Sequence, residues 1–227
     1  MPIPVPQKVR RRAERVAALL PILKRLYPAA KCRLNHHSPL ELLVATILSA
    51  QCTDDRVNIV TKDLFKRYRK AADYARVPQE TLEREIQSTG FFRNKAKSIR
   101  GMAAALVERH RGQVPQTMEE LTALPGVGRK TANVVLGNAF NQNVGIVVDT
   151  HVTRVSNRLG LTDHPSDAVK IEQDLMLVVP SEEWTLWSHL LIFHGRAVCT
   201  ARNPKCPICP LLPHCPRKGL PRLKSEI

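Results

Sequence analysis

The chain has 227 residues, 43% of them hydrophobic, and carries 35 Lys and Arg against 20 Asp and Glu for a net charge of +15. That apolar content excludes a disordered chain, and the lack of any long uncharged apolar run excludes a membrane-spanning one. A charge excess of this size points to a polyanionic partner, nucleic acid before an acidic membrane surface.

Residues 1–33 hold nine basic residues and one acidic, residues 34–195 nineteen and eighteen, and residues 196–227 seven and one. The excess therefore sits at both ends, either as two solvated tails or, if the ends meet in space, as one surface facing nucleic acid. The segment before residue 20 has no motif and reads as a flexible arm. Its apolar stretch Val16–Leu23 holds Pro21, runs into Lys24-Arg25 and lacks a small-residue cleavage site, unlike a secretory signal. The chain thus reads as intracellular, and its six cysteines as poor candidates for a disulfide framework.

Helical periodicity then runs almost unbroken. Ser38-Pro39-Leu40-Glu41 is a capping box opening a helix with Leu40, Leu43, Val44, Ile47 and Leu48 on one face. Val57, Val60, Leu64 and Phe65 repeat the spacing, as do Ile99, Met102, Ala103 and Leu106. A second capping box, Thr117 to Glu120, starts a short helix bearing Met118, Leu121 and Leu124. Ala132, Val135, Leu136 and Ala139 mark the next helix. Later ones follow at Val152–Leu159, Ile171–Val178 and Trp184–Leu191. The only strand-like stretch, Val144 to Val148, reads as a buried extended connector, because one isolated strand cannot make a sheet. The expected fold is all-α.

Leu124-Pro125-Gly126-Val127-Gly128-Arg129-Lys130-Thr131-Ala132 joins two of these helices. Pro125 ends the first, and Gly126 and Gly128 permit positive φ and leave the backbone bare. The second helix then offers its free N–H groups and positive dipole end to a phosphate oxygen. Lys130 stands in its first turn, where the dipole disfavours the charged amine. A neutral amine is a nucleophile able to form a Schiff base, although on the residues alone a lysine beside a phosphate site is more often a phosphate contact. Asp149 follows the extended connector and reads as an N-cap, a role compatible with catalysis; His151 is given no role. Cys199, Cys206, Cys209 and Cys215 are spaced C-x6-C-x2-C-x5-C in a proline-rich segment. Four such thiolates indicate either structural zinc or a 4Fe-4S cluster that orders the segment. Cys32 and Cys52 fall outside the pattern and read as core or boundary residues.

The hairpin, the run Val148-Asp149-Thr150-His151 and the cysteine spacing together resemble the endonuclease III family of helix-hairpin-helix DNA glycosylases, over nearly the whole chain from about residue 30. The resemblance implies two helical domains flanking a DNA cleft. One is a continuous six-helix domain at 32–142; the other is assembled from 1–31 plus 143–227 and carries a 4Fe-4S cluster on Cys199, Cys206, Cys209 and Cys215. It implies a bifunctional enzyme that removes oxidised pyrimidines, with Lys130 attacking the sugar and Asp149 accepting a proton and stabilising the oxocarbenium-like charge. The same lysine would nick the strand 3′ to the abasic site by β-elimination. Ser49-Ala50-Gln51 resembles the segment whose glutamine fills the gap left by the extruded base, and Thr89 to Asn94 the loop that wedges the stack, with Phe91 where the family commonly has leucine. Further DNA contacts are expected from Gly126, Val127, Gly128 and Arg129, and from Arg202 and Lys205 in the cysteine segment. The expected partner is double-stranded DNA with damaged bases or abasic sites, with no membrane. No coiled-coil seam is present, so a monomer is expected, in the bacterial cytoplasm at the nucleoid. The excess charge should fall on the cluster domain and leave the other nearly neutral. Two rival readings are a sibling glycosylase for mismatched thymine or other lesions, and a non-catalytic, metal-ordered DNA-binding module.

Overall fold

The computed structural model describes residues 6–221, so Arg222 and Lys224 of the basic C-terminal segment lie outside the described residues. These residues form helices and loops with no strand. The α-helices in chain order are α1 (Gln7–Leu26), α2 (Pro39–Leu48), α3 (Asp54–Arg67), α4 (Ala71–Arg76), α5 (Gln79–Ile86), α6 (Phe92–His110), α7 (Met118–Thr122), α8 (Arg129–Ala139), α9 (Thr150–Arg158), α10 (Ala168–Met176) and α11 (Trp184–Ala197). The all-α expectation holds. Val144–Val148 forms no strand and bends at Gly145, Val144 is exposed, and Gly145–Val148 is buried. No described helix is long and apolar enough to cross a membrane.

The chain divides into two compact units, residues 32–144 and residues 1–31 with 145–227. The continuous unit holds seven α-helices, α2 to α8, against an expectation of six; α4 and α7 have only six and five residues. Its centre is α2. Ser38 Oγ accepts from the Glu41 N–H at 3.2 Å, with Pro39 at the first helical position. The returning carboxylate takes the N–H of His37, not that of Ser38, at 2.6 Å. From Leu42 to Leu48 every residue of α2 is buried, so the apolar stripe read from the sequence is in fact a helix enclosed all round. α6 packs beside it with Ile99, Met102, Ala103 and Leu106.

The hairpin is seated on α6. A Cβ added to Gly126 would lie 2.5 Å from Ser98 Cβ, and Gly126 has φ +74°. Gly128 differs from expectation: φ is −93°, and an added Cβ would meet nothing within 4 Å. Its glycine supplies bare backbone, not a left-handed turn.

The other unit packs α1, α9, α10 and α11 around Val16, Leu19, Leu23, Val152, Val155, Leu175 and Trp187. Residues 7–19 are thus helix and not a flexible arm: the apolar positions of α1 repeat at helical spacing and are buried. Arg12 is 6% exposed and pairs with Asp163 at 2.6 Å and Asp174 at 3.4 Å. Ser188 Oγ accepts from the Val147 N–H at 3.0 Å and ties the extended connector to α11.

The charge divides differently from the expectation as well. Counted from the sequence, the unit of 1–31 and 145–227 has eighteen basic and nine acidic residues, +9, and the unit of 32–144 has seventeen and eleven, +6. The even balance of residues 34–195 averaged a basic continuous unit with the acidic α9–α11 region of the other. Neither unit is close to neutral.

Gly126→Ala combines a forbidden Cβ contact with a left-handed backbone and should lose about 2–4 kcal/mol in urea unfolding. Gly128→Ala, facing open space, should stay within about 0.5 kcal/mol of the parent. Hydrogen bonds from Lys8 and then Arg12 hold the Asp163 carboxyl down at about 2. The stability this gives is complete above the unfolded value of about 3.9 and is lost as pH falls towards 2. Urea midpoints at pH 6 and pH 2.5 should therefore differ less for Asp163→Asn than for the parent.

Candidate nucleic-acid interface and metal centre

Two exposed tips lie in the continuous unit. The first is the turn from α2 to α3. Ser49 ends α2, the Cys52 N–H donates to Ser49 O at 3.1 Å, and Thr53 Oγ1 caps α3 by accepting from the Arg56 N–H. Gln51 sits at the crest, exposed, with φ +52°. The second tip follows the 3-10 turn Gln87–Thr89. Gly90 has φ +70°, and Phe91 caps α6 at φ +48° with 62% of its surface exposed. A large apolar side chain in a left-handed conformation, facing water, is costly on both counts and marks the tip as a contact surface. Phe92 behind it is half-buried, with the Arg93 guanidinium 5.5 Å from its ring centre.

Both tips depend on a residue that sequence reasoning passed over. Lys95 in α6 is 4% exposed, and its Nζ donates to Leu48 O at 2.8 Å and Thr89 O at 2.7 Å. Burial lowers its pKa from the ordinary lysine value, opposed by the nearby Cys52 thiol. A lysine in the first turn of a helix looks like a solvated residue in a sequence; only its spacing before Ala96 and Ile99 on the buried face hinted otherwise.

At the hairpin, the Val127 N–H donates to Leu124 O at 3.1 Å and Val127 is buried, which anchors the turn. α7 ends at Thr122, before Pro125. The Ala132 N–H is the first to bond back into α8, to Gly128 O at 3.0 Å, so earlier amides of that turn have no carbonyl behind them within the helix. Arg129 and Lys130 are the first two residues of α8, and both are exposed. Among the described residues the Lys130 amine has no ion-pair partner.

Asp149 belongs to the other unit. Its carboxylate caps α9 by accepting from the Val152 N–H at 2.8 Å. One carboxylate oxygen is thereby fixed to the backbone and its direction set. His151 packs beside Gly195 with Nδ1 3.1 Å from the Arg154 guanidinium, and burial lowers its pKa.

Cys199, Cys206, Cys209 and Cys215 line one pocket together with Val155, Leu159 and Leu211. The loop is irregular, two 3-10 turns at Cys206–Ile208 and Leu212–His214, and α9 braces it. Arg158 donates to Thr200 O at 2.7 Å, Ala201 O at 2.9 Å and Cys199 Sγ at 3.3 Å, while Arg154 donates to Cys199 O at 3.1 Å. This brace was not anticipated; its signal is the i, i+4 spacing of the two arginines. Burial pushes the Cys209 and Cys215 thiols up, and the neighbouring cysteines push them further. Thiolates gathered in an apolar pocket call for a cationic group among them. Among the described residues no three His, Cys, Asp or Glu side chains converge closely enough to hold a single metal ion. Four thiols lining one pocket are a ligand set for a 4Fe-4S cluster or for one tetrahedral zinc. Arg202 and Lys205 are exposed on the loop between the first two cysteines. Cys32 and Cys52 pack against the core of the continuous unit.

Residues 44–181 match the family model of the HhH-GPD superfamily base excision DNA repair proteins, and residues 199–215, Cys199 to Cys215, match the iron-sulfur binding domain of endonuclease III. The chain is 53% identical over 210 residues to endonuclease III of Synechocystis sp., covering 92% of this chain and 95% of that protein. It is 49% identical to endonuclease III of Bacillus subtilis, covering 89% and 91%. Among solved structures, a trapped endonuclease III–DNA covalent intermediate in an estranged-adenine complex superposes with a TM-score of 0.86 at 47% identity, covering 90% of this chain and 96% of that one. The chain therefore belongs to the endonuclease III family within the HhH-GPD superfamily, and it is a base-excision-repair DNA glycosylase and abasic-site lyase that carries a 4Fe-4S cluster.

Proposed function

We propose that this enzyme removes oxidised pyrimidines from double-stranded DNA with Lys130 as nucleophile and then nicks the strand at the abasic site. The observation that carries this is an exposed amine, with no ion-pair partner among the described residues, in the first turn of the helix that follows the glycine hairpin. The Lys130 amine attacks C1′ of the damaged nucleotide as the C1′–N bond to the base breaks. The base departs with a proton, and opening of the sugar ring leaves a Schiff base between Nζ and C1′. The iminium acidifies the 2′ carbon; loss of a 2′ proton expels the 3′ oxygen with its phosphate and cuts the strand. Asp149, with one oxygen engaged as a helix cap, keeps a carboxylate lone pair to accept a proton and to stabilise positive charge developing on the sugar. The bare backbone of Gly126, Val127 and Gly128, with Arg129, holds a phosphate of the same strand. Gln51 occupies the gap left by the extruded base and Phe91 enters the stack beside it.

Cys199, Cys206, Cys209 and Cys215 hold the 4Fe-4S cluster on this reading. When bound, the cluster would supply a covalent tie among four points of a loop whose regular structure is two short 3-10 turns. Arg202 and Lys205 are then presented by an ordered loop to the phosphate backbone. The enzyme works as a monomer at the nucleoid.

Borohydride added to the enzyme with a lesion-bearing duplex should yield a covalent protein–DNA adduct, and Lys130→Ala should abolish it. An adduct that persists in Lys130→Ala would overturn the assignment of the nucleophile. A panel of oxidised pyrimidines and thymine mismatches, run in the same assay, identifies the lesion class. The purified enzyme should absorb in the visible range, with iron and sulfide in equal amounts near four per chain. Cys206→Ser should bleach that absorption and lower the unfolding temperature; a colourless, zinc-loaded parent enzyme would contradict the cluster assignment.

A further inference from the structure

We propose that Lys95 is a positioning residue for base extrusion, its single buried ammonium setting the Gln51 and Phe91 tips in register with each other. This rests on the reading of those two tips given above.

A lysine ammonium is seldom buried without good cause, because removing it from water is expensive unless oxygen acceptors surround it. Lys95 meets that condition with two backbone carbonyls that belong to different loops. Leu48 O is one of the last carbonyls of α2. The amide that would normally satisfy it, that of Cys52, turns away to Ser49 O. The Leu48 carbonyl is thus an orphan at the negative end of a helix, and a cation is its best partner. Thr89 is the last residue of the 3-10 turn before the second tip, and its carbonyl accepts from Lys95. Gln51 comes three residues after Leu48, and Phe91 comes two after Thr89. Both have left-handed backbones at φ +52° and +48°, conformations that persist only where the surroundings over-determine them.

The other hydrogen bonds within the two loops are local, while the 3-10 turn Gln87–Thr89 also packs against α3 and Gln79 of α5 donates to Arg93 O. Ser49 Oγ donates to Thr46 O, Thr89 Oγ1 to Ile86 O, and the Gly90 N–H to Gln87 O. Each holds one loop to its own preceding turn. Lys95 bonds to both loops and is itself fixed in α6, whose N-cap is Phe91. A gap-filling side chain and a wedge that act on adjacent positions of one duplex need a fixed separation. Through Lys95 a displacement of either tip is resisted by the other.

The test compares Lys95→Met, which keeps the length and loses the donor, with the parent on two substrates. The first is a duplex carrying the lesion that the enzyme excises best, where a base must be extruded. The second is a single-stranded abasic oligonucleotide, where none need be. Single-turnover excision from the duplex should fall about 10–100-fold, the penalty of ångström-scale misplacement. Strand cleavage of the single-stranded abasic substrate should stay within about threefold. A 2-aminopurine placed beside the lesion should report a slowed fluorescence rise in the variant. Equal losses on both substrates would mark Lys95 as merely structural and overturn the proposal. So would a variant that excises at the parental rate. Gln51→Ala and Phe91→Ala, run in parallel, separate the two levels of inference. If they lose duplex excision while Lys95→Met does not, the tips stand and the role of Lys95 falls. If they lose nothing, the reading of the tips itself falls, and the proposal with it. Should Lys95→Met fail to fold, Lys95→Gln, one bond shorter and uncharged, should still lower the ratio of duplex to single-strand activity, and an unchanged ratio would overturn the proposal.

Discussion

A buried ammonium must be met by oxygen atoms, and in this chain the oxygens that meet Lys95 are the carbonyls at the roots of two strained loops. The arrangement of the continuous unit follows from where that lysine is fixed. α6 carries Lys95 in its first turn and Phe91 at its N-cap. Further along, it offers small residues to the hairpin: Ser98 against Gly126, and Gly101 against Pro125, where an added Cβ would come within 3.2 Å. One helix is thus the common frame for the turn that carries Gln51, the tip that carries Phe91 and the hairpin before Lys130. Rigid elements position functional groups better than loops do, and the three loops of the continuous unit that carry Gln51, Phe91 and Gly126 all meet this one helix.

The unit of 1–31 and 145–227 solves a different problem. Its cysteine segment has five prolines and almost no regular structure, so its backbone carbonyls need partners from elsewhere. Arg154 and Arg158 of α9 supply them, with hydrogen bonds to the carbonyls of Cys199, Thr200 and Ala201. The helix capped by Asp149 is therefore also the helix that braces the metal loop. The buried Arg12 guanidinium, paired with Asp163 and Asp174, holds the start of α1 to the segment that holds Asp163. Side-chain hydrogen bonds, and not packing alone, decide the order of this unit.

Much of this was legible in the sequence, because the chemistry required residue types that few other purposes require. Two glycines two apart before an Arg-Lys pair, an acid at the end of a Val-rich connector and four closely spaced cysteines are all local patterns. Helical periods in α2, α3, α6, α8, α9, α10 and α11 are local as well. α4 and α5 were not read, since six and eight residues give too few apolar repeats to show a period. The N-terminal residues looked like an arm because their charge obscured the buried stripe of Val16, Leu19 and Leu23. The charge partition misled for a related reason: the chain divides at 144, and a window running to 195 mixed the two units.

The sequence by itself determined the helical class, the hairpin, the capping acid and the number of thiols, because each is set by neighbours within a few residues. Tertiary structure alone decided that Gly126 needs its missing Cβ while Gly128 does not, since the difference lies in Ser98, distant in sequence. It alone decided that Arg12 is buried among carboxylates and that Lys95 faces inward to two carbonyls. A charged residue looks the same in a sequence whether it ends in water or in a protein interior. Only the folded chain shows which oxygen atoms lie within its reach.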